Sequence, residues 1–365
     1  ATSPGESTVY SSVGIREHGG MGIVEGIAAA PPSFGIETVS DAVSLQFGQR
    51  GEFRPLVSER DQNFCLRTAD GSRFLVKVTS AVEVATTTAL QVNALRYLEQ
   101  LADVTAPRVI TTLGGDAWGW IDDGTSHRLR LLSWVDGEQL EVRGIDAALA
   151  GAFGRALGGL DNALAGFAYE GDNPVLLWDL QRVGELRSVL HCIDDAVVRA
   201  SVEAAIDDFD EIVTPLEKGL PRQVIHADAN PENVLACKGG IGFIDFSDMV
   251  RAPRCFEPAI AASYLRTDAD DPLLLLRPFL AGYHAVAELE ASEVEVLFDL
   301  VRARLATSVA LLYWRLQDRP ADDEYRRKSL ELESNASHFL AALDALGRDV
   351  FITEFSNLLF GAANS

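Results

Sequence analysis

The sequence predicts an α+β protein of two lobes, with a small antiparallel β-sheet lobe followed by a large, mainly helical lobe. Three observations support this prediction. Short strand-like runs joined by polar turns crowd the first third of the chain, and helical periodicity dominates from Asp146 onward, interrupted only by one β-like hairpin within residues 223–248. At 365 residues, the chain is also longer than the length that a single hydrophobic core usually serves.

The β-sheet lobe is expected between residues 33 and 135. Its predicted elements are a weak helix at Phe34–Phe47, strands at Glu52–Val57, Asn63–Thr68 and Arg73–Val78, a helix at about Val82–Leu101, and strands near Arg108–Thr112 and Arg128–Val135. The turn Ala69-Asp70-Gly71-Ser72 is typical of a hairpin. Residues 1–32 are rich in Gly, Ser and Ala and lack periodicity, so we expect a loosely ordered tail there.

The helical lobe is expected over residues 136–365. Within it, Asn233–Ala236 and Ile241–Ile244 flank the turn Cys237–Gly240 and predict a short hairpin. No fixed-period repeat is present in the sequence.

Composition and charge exclude several classes of function. A net charge of −23 argues against nucleic acid or an anionic membrane as the main partner, because both would repel such a surface. The apolar runs are too short to span a bilayer, and no basic segment followed by an apolar one opens the sequence. Four widely separated cysteines fit neither a zinc site nor a disulfide framework and favour the cytoplasm. The acidity serves either solubility or attraction of a cationic substrate.

The strongest chemical signal lies at Val224–Leu235, which reads V-I-H-A-D-A-N-P-E-N-V-L and is followed by I-D-F at residues 244–246. Phosphoryl transfer needs a carboxylate beside the attacking hydroxyl, a role that suits Asp228, with His226 in support. Asn233 and Asp245 offer oxygen ligands for Mg²⁺, and the predicted hairpin brings them to one edge. The alternative is a structural loop of capping residues around a buried histidine. The two-part spacing favours catalysis.

Lys77 is the second signal, since it lies inside the apolar strand F-L-V-K-V. A buried ammonium is costly without an anionic partner, and nucleotide phosphates would supply one. Such a lysine usually also pairs with a glutamate on the following helix. Thr86–Arg96, the middle of that helix, contains no acid, which leaves Glu83 and Glu99 as candidates; we favour Glu83.

Two further segments are weaker candidates for nucleotide contacts. Ser58 lies in the predicted hairpin loop 58–62, which holds no glycine but could cover a β-phosphate with its hydroxyl and backbone amides. Ser133, Trp134 and Val135 end a strand where the lobes would join, and their backbone could pair with a purine edge. An ordinary polar turn and a connecting strand are the alternatives.

These residues carry a resemblance to the aminoglycoside phosphotransferase superfamily, relatives of protein kinases, and within it to the hydroxylysine-kinase-like phosphotransferases. The resemblance spans about residues 34–346 and rests on five runs: P-L-V-S-E-R-D-Q-N-F, F-L-V-K-V, L-L-W-D-L, V-I-H-A-D-A-N-P-E-N-V-L and I-D-F-S-D-M-V-R-A-P. It implies a bilobal protein-kinase-like fold with a nucleotide between the lobes. Two positions depart from the family pattern: Ala227 stands where Gly or Asn is common, and Ser247 where Gly is usual.

The implied activity is transfer of the γ-phosphate of ATP or GTP to a hydroxyl of a small acceptor. That acceptor is either a hydroxylated metabolite such as hydroxylysine or an antibiotic, namely an aminoglycoside or a nucleoside antibiotic. A catalytically silent nucleotide-binding protein of the same fold is the alternative, disfavoured because Lys77, Asp228, Asn233 and Asp245 are all present. Oligomeric state has no signal in the sequence.

The same resemblance places the acceptor in the helical lobe beside Asp228. Residues 146–210 of this lobe are dense in carboxylates, and they include Trp178 and Asp179 in the run L-L-W-D-L. We therefore expect a cationic acceptor held by Asp179 and by a cation–π contact with Trp178. The alternative is that Trp178 is core and that the acids form a solvated helix face.

Overall fold

The structure is a computed structural model that describes residues 31–361 apart from residues 59, 102, 170–172, 177, 268, 318 and 320–322. All of the predicted N-terminal tail except Pro31 and Pro32 lies outside the described residues, so its role stays a prediction. The α+β class and the order of the two lobes are confirmed.

The first lobe is built on one antiparallel sheet with two helices. Its elements are α1 (Ile36–Phe47), β1 (Gly51–Leu56), β2 (Gln62–Thr68), β3 (Arg73–Val78), α2 (Ala85–Leu98), β4 (Val109–Ile110), β5 (Gly119–Asp122) and β6 (Ser126–Ser133). The strand order is β1-β2-β3-β6-β4, and β5 pairs with the first half of β6. The sequence did not predict β5, because four residues between two turns carry too little alternation.

The register of β2 and β3 fixes the position of the buried lysine. Asp70 accepts hydrogen bonds from Thr68 and Ser72, and Gly71 takes φ of 86° to close the tight turn between the strands. This turn sets Asn63 opposite Lys77. On the other side of β3, Lys77 is paired with Arg130 of β6. A slip of one residue would turn Lys77 to the other face of the sheet.

The second lobe contains most of the helices and two small sheets. Its elements are β7 (Glu138–Gln139), α3 (Leu140–Arg143), α4 (Ala147–Leu164), α5 (Ala196–Asp208), α6 (Thr214–Leu216), β8 (Arg222–Ile225), β9 (Val234–Cys237), β10 (Gly240–Phe243), β11 (Val250–Pro253), α7 (Phe256–Ala262), α8 (Leu276–His284), α9 (Ala291–Leu316), α10 (Glu324–Leu346) and α11 (Arg348–Phe360). A 3₁₀ segment at Leu180–Cys192 links α4 to α5.

The predicted hairpin of this lobe forms as β9 and β10, and β7 adds a third strand. A separate pair joins β8 to β11. The sequence did not predict β7, β8 or β11 as strands. The two pairs hold the catalytic loop between them, because the loop leaves β8 and enters β9.

Helices α4 and α8 pack closely together in the helical lobe. Gly154 on α4 lies against α8, where an added Cβ would lie 1.9 Å from the carbonyl oxygen of Phe279, so only glycine permits this approach. Helix α9 is buried along most of its length and crosses the lobe toward the catalytic loop. Within the part of the chain that the structure describes, no helix is long and apolar enough to cross a membrane.

Two hydrophobic cores divide the molecule, and α2 belongs to the larger one. The smaller core lies between α1 and the sheet. The apolar face of α2, formed by Leu90, Ala94, Leu95 and Leu98, packs instead into the core of the helical lobe. The proposed lobe boundaries at residues 33 and 136 stay a prediction.

Candidate active site

The catalytic loop is held by His226, which is fully buried. Its Nε2 donates to the carbonyl oxygen of Ile244 at 3.0 Å, and its Nδ1 accepts the N–H of Asp228 at 3.3 Å. These contacts require a neutral ring with the proton on Nε2. Burial lowers the pKa of His226, which favours the same state. The histidine therefore fixes the loop against β10, in keeping with its predicted supporting position.

Asp228 lies at the mouth of this loop with both carboxylate oxygens engaged. Asn233 Nδ2 donates to Asp228 Oδ2 at 2.8 Å and to the Asp228 carbonyl at 3.0 Å. Arg304 Nη2 from α9 donates to Oδ1 at 3.0 Å. Burial, with the neighbouring charge of Asp248, raises the pKa of Asp228 although Arg304 opposes the shift. The result is a fixed and basic carboxylate, as a general base requires.

Sequence reasoning missed the residue that holds the backbone beside Asp228. Ala227 adopts φ of 64°, a conformation that non-glycine residues enter at a cost. Its N–H donates at 2.8 Å to Oε2 of Glu257, a fully buried carboxylate on α7. Only a lone acid in the apolar run F-E-P-A-I-A-A could have indicated it. The left-handed backbone also accounts physically for the usual Gly or Asn at position 227.

Asp245 follows β10 and is the second left-handed non-glycine residue among those described, with φ of 54°. Ser247 Oγ donates to its Oδ1 at 2.5 Å, and Lys77 Nζ lies 3.4 Å from the same oxygen. Burial alone would raise the pKa of Asp245, but Lys77 and Ser247 lower it far below its usual range. Asp245 is therefore anionic at any physiological pH.

Lys77 reaches this group from β3 and is buried at 5% exposure. Its Nζ lies 2.9 Å from Asp61 Oδ2 and donates to Ser247 Oγ at 2.6 Å. Burial would lower the pKa of Lys77, but Asp245 and Asp61 raise it above its ordinary value. The serine that departs from the family pattern therefore bridges the lysine and the aspartate.

The predicted pairing of Lys77 with Glu83 is wrong. Glu83 lies in the turn before α2, where its carboxylate accepts a hydrogen bond from Thr88. Asp61, the residue just before β2, takes the position beside the lysine because β2 and β3 are paired neighbours. On α2 itself, Gln91 donates to the Ser247 carbonyl at 3.2 Å, so an amide occupies the place expected for an acid.

The remaining nucleotide candidates lie along the cleft. Ser58 is half-buried in the β1–β2 loop, and Arg60 of that loop forms an ion pair with Asp248 across the lobes. At the end of β6, the N–H of Ser133 donates to the carbonyl oxygen of Arg108, and the N–H of Trp134 donates to the carbonyl oxygen of Arg73. A purine beside these two residues would therefore have to pair with their carbonyl oxygens rather than with their N–H groups. Val135 follows directly and is half-buried.

Asn233 and Asp245 offer oxygen atoms to a divalent cation. The Nδ2 of Asn233 points to Asp228, which turns its amide oxygen the other way, and Asp245 uses Oδ1 for its protein contacts. Among the described residues, no group of three His, Cys, Asp or Glu side chains could enclose a metal by itself. One carboxylate and one amide suit Mg²⁺, which takes its remaining ligands from water and phosphates. The residues present therefore fit the ion.

Trp178 and Asp179 do not form the predicted site for a cation. The Trp178 ring is covered by Arg304 and Arg315, whose Cζ atoms lie 5.7 and 5.2 Å from its centroid. Asp179 instead caps the segment Leu180–Cys192 by accepting the N–H of Gln181 at 3.0 Å, and burial raises its pKa. The protein's own guanidinium groups occupy the aromatic face that we assigned to an acceptor cation.

Lys77 and Asp245 lie in contact, and the carboxylate of Asp228 lies in the neighbouring loop. This arrangement is typical of kinases. A profile of the phosphotransferase enzyme family matches residues 52–294. The chain belongs to that family, as its motifs predicted, and transfers phosphoryl groups to a hydroxyl of a small acceptor.

Named relatives agree with this assignment. Hydroxylysine kinase from Danio rerio is 25% identical over 312 residues, which cover 80% of this chain and 88% of the relative. Homoserine kinase from Azorhizobium caulinodans is 27% identical over 285 residues, covering 71% and 84%. A solved amicoumacin kinase in complex with AMP-PNP, Ca²⁺ and Ami has a TM-score of 0.67 at 15% identity over 84% of this chain and 94% of that chain, a likeness of fold.

Proposed function

We propose that this protein is a Mg²⁺-dependent kinase that uses ATP or GTP to phosphorylate the hydroxyl of a small amino acid or amine. Two contacts carry the proposal: Asn233 Nδ2 lies 2.8 Å from Asp228 Oδ2, and Lys77 Nζ lies 3.4 Å from Asp245 Oδ1. The N–H of Ile244, the residue before Asp245, donates to the Asn233 carbonyl and so joins the two segments. The names of the curated relatives, hydroxylysine kinase and homoserine kinase, support an acceptor of this type.

On the nucleotide side, Lys77 binds the phosphates. Its ammonium is now shared by Asp61, Asp245 and Ser247, so a triphosphate would compete for a cation that is already fixed in direction. Ser58 lies in the loop above the phosphates, and Ser133, Trp134 and Val135 lie where a purine edge would pair. Asn233 and Asp245 would hold Mg²⁺, which would supply charge stabilisation at the phosphates.

On the acceptor side, Asp228 orients the attacking hydroxyl and takes its proton. The acceptor oxygen forms a bond to the γ-phosphorus, the bond from that phosphorus to the bridging oxygen breaks, and the nucleoside diphosphate leaves with the electron pair. Arg304 and Asn233 fix the carboxylate in place by one hydrogen bond to each oxygen. Its raised pKa brings its proton affinity closer to that of the group it must deprotonate.

The experiment is a kinase assay that measures nucleoside diphosphate release and phosphorylated product. Purified protein is given ATP or GTP with Mg²⁺ and a panel of hydroxylysine, homoserine, aminoglycosides and nucleoside antibiotics. We expect transfer to a hydroxylated amino acid. Transfer to an antibiotic alone would replace that acceptor class, and nucleotide binding without transfer to any acceptor would leave the silent nucleotide-binding protein as the better description.

A further inference from the structure

Arg60 reaches from the loop between β1 and β2 across the cleft to the helical lobe. Its Nη2 forms an ion pair with Oδ1 of Asp248, which lies three residues after Asp245 in the sequence. The function proposed above gives neither member of this pair a role. A charged contact between the two lobes therefore lies at the site without an assigned purpose.

The chain places this ion pair next to the contacts of Lys77. Arg60 directly precedes Asp61, whose Oδ2 lies 2.9 Å from Lys77 Nζ. On the other lobe, Asp248 ends the short 3₁₀ turn Phe246–Asp248, which directly follows Asp245. The guanidinium group of Arg60 therefore lies beside the residues that we assign to the phosphates and to Mg²⁺.

Charge interactions agree with this position. The charge of Asp248, followed by those of Asp245 and Asp61, raises the pKa of Arg60 although burial opposes the shift. After burial, the charge of Asp248 is also the main cause of the raised pKa of Asp228. The γ-phosphate has to lie in this region, because it passes from the metal-bound triphosphate to the hydroxyl at the base.

The guanidinium group of Arg60 is accessible to a ligand. Its side chain is 41% exposed, whereas the side chains of Lys77 and Arg304 are 7% and 2% exposed. Among the described residues, Nη2 is the only nitrogen of Arg60 that forms a hydrogen bond. A guanidinium group presents several N–H donors in a fork that matches phosphate oxygens, so the remaining donors suit a phosphate.

We infer that Arg60 binds the γ-phosphate of the nucleotide and that Asp248 holds its guanidinium group in place before the nucleotide binds. The inference rests on the proposed kinase function and adds a residue to its nucleotide side. Because the loop 58–62 holds no glycine, a side chain rather than a close backbone approach covers the phosphate. Negative charge is spread over the oxygens of the transferred group in the transition state, where an arginine stabilises it.

The test compares two nucleotides that differ in the γ-phosphate. AMP-PNP and ADP, or their guanine counterparts, are titrated calorimetrically with Mg²⁺ into the native protein and into Arg60→Gln. We expect the Kd of AMP-PNP to rise about 10-fold, as loss of one charge-assisted hydrogen bond predicts, and the Kd of ADP to stay within about 2-fold. The control Arg67→Gln removes an exposed arginine on β2 and should alter neither Kd.

The variant Asp248→Asn distinguishes competition for Arg60 from a purely structural ion pair. Without the carboxylate, Arg60 is free for the nucleotide, so the Kd of AMP-PNP should fall about 3- to 5-fold. In the Arg60→Gln background the same change should have an effect of less than about 2-fold. A structural ion pair would instead make both single variants bind AMP-PNP more weakly.

The outcomes separate this inference from the proposed function. Equal changes in Kd for AMP-PNP and ADP in Arg60→Gln, no change in either, or weaker binding of AMP-PNP by Asp248→Asn overturns the role of Arg60 while the kinase function stands. Absence of nucleotide binding to the native protein overturns both.

Discussion

The two sides of the cleft differ in how the charges around each carboxylate are balanced. On each side, a buried cation from one element contacts a catalytic carboxylate from another: Lys77 with Asp245, and Arg304 with Asp228. Around Lys77, the acids Asp61 and Asp245 outnumber the ammonium. Around Asp228, Arg304 is the cation in contact, while burial and the neighbouring acid Asp248 together raise the pKa of Asp228.

This difference separates the tasks of the two carboxylates. The pKa of Asp245 is lowered, so it stays anionic and suits the binding of a cation. Burial raises the pKa of Asp228, so it suits the acceptance of a proton. The surroundings of the two aspartates, rather than the residue type, therefore suit one to binding a cation and the other to accepting a proton. Substitutions at the two positions should accordingly affect nucleotide binding and turnover differently.

The largest effect is expected from Asp228→Asn on the acceptor side. Loss of the base should reduce kcat by about 10²- to 10⁴-fold, because only the transition state loses a proton acceptor. Nucleotide affinity should remain within about 2-fold, since the side chain faces the acceptor. Steady-state kinetics and calorimetric titration with a non-hydrolysable nucleotide measure the two quantities. Near-normal kcat would remove Asp228 from catalysis.

On the nucleotide side, Asp245→Ala should weaken both binding and turnover. The variant lacks an oxygen ligand for Mg²⁺ and leaves Lys77 with one fewer anionic partner. We expect kcat/KM to fall by about 10²-fold, as loss of charge stabilisation at the phosphates predicts. Nucleotide titrations with and without Mg²⁺ provide the measurement. Unchanged affinity with the same Mg²⁺ dependence would show that Asp245 has a structural role.

A smaller effect distinguishes the true partner of Lys77 from the predicted one. Asp61→Asn removes a charged contact at 2.9 Å and should lower kcat/KM for the nucleotide about 10-fold, consistent with about 1.5–3 kcal/mol for a hydrogen bond to a charged group. Glu83→Gln is the matched control and should stay within about 2-fold. The reverse ranking in nucleotide kinetics would restore the helix acid as the partner.

The smallest effect concerns stability and pH. Burial raises the pKa of Glu257 to about 7, although hydrogen bonds from the catalytic loop oppose the shift. Because the folded value exceeds the ordinary value of about 4.3, this group favours the folded state at low pH and loses that contribution as pH rises from about 4.5 to about 7. The isostere Glu257→Gln should therefore decline less in free energy of unfolding over this window than the native protein.

Urea denaturation at pH 5 and pH 8 checks this prediction for both proteins. The change in free energy of unfolding between pH 5 and pH 8 is compared between the two proteins. The difference isolates Glu257 from the many other titrating groups. Parallel pH profiles would show that Glu257 is ionised in the folded protein at both pH values.

The sequence predicted those site residues whose partners are close along the chain or lie in a recognisable pattern. Asp228 and Asn233 are five residues apart, and Lys77 is conspicuous as a charge in an apolar strand. Asp61 required the register of β2 and β3, which no local pattern specifies. Glu83 was chosen because helix acids are the common partner, and here the sheet supplies the acid instead.

Arg304 and Glu257 were beyond the reach of sequence reasoning for a related reason. Arg304 lies 76 residues from Asp228 on a helix that also carries Arg302 and Arg315, so nothing marks it out. Its role depends on how α9 crosses the lobe, which is a property of packing. Trp178 was predicted to meet the cation of an acceptor, whereas the cations over its ring are Arg304 and Arg315, and these neighbours come only from the fold.

The packing of α2 determines how the cleft can open. Because its apolar face belongs to the core of the helical lobe, α2 should move with that lobe while the sheet tilts above it. We then expect bending where the chain passes between the two bodies, at residues 79–84 before α2, at residues 106–108 before β4, and at Asp136 and Gly137 after β6. In each opening, Lys77 would leave Asp245, and Gln91 would keep its hold on Ser247. Lys77 thus moves with the sheet and holds the cleft closed through its contact with Asp245, whereas α2 stays with the helical lobe.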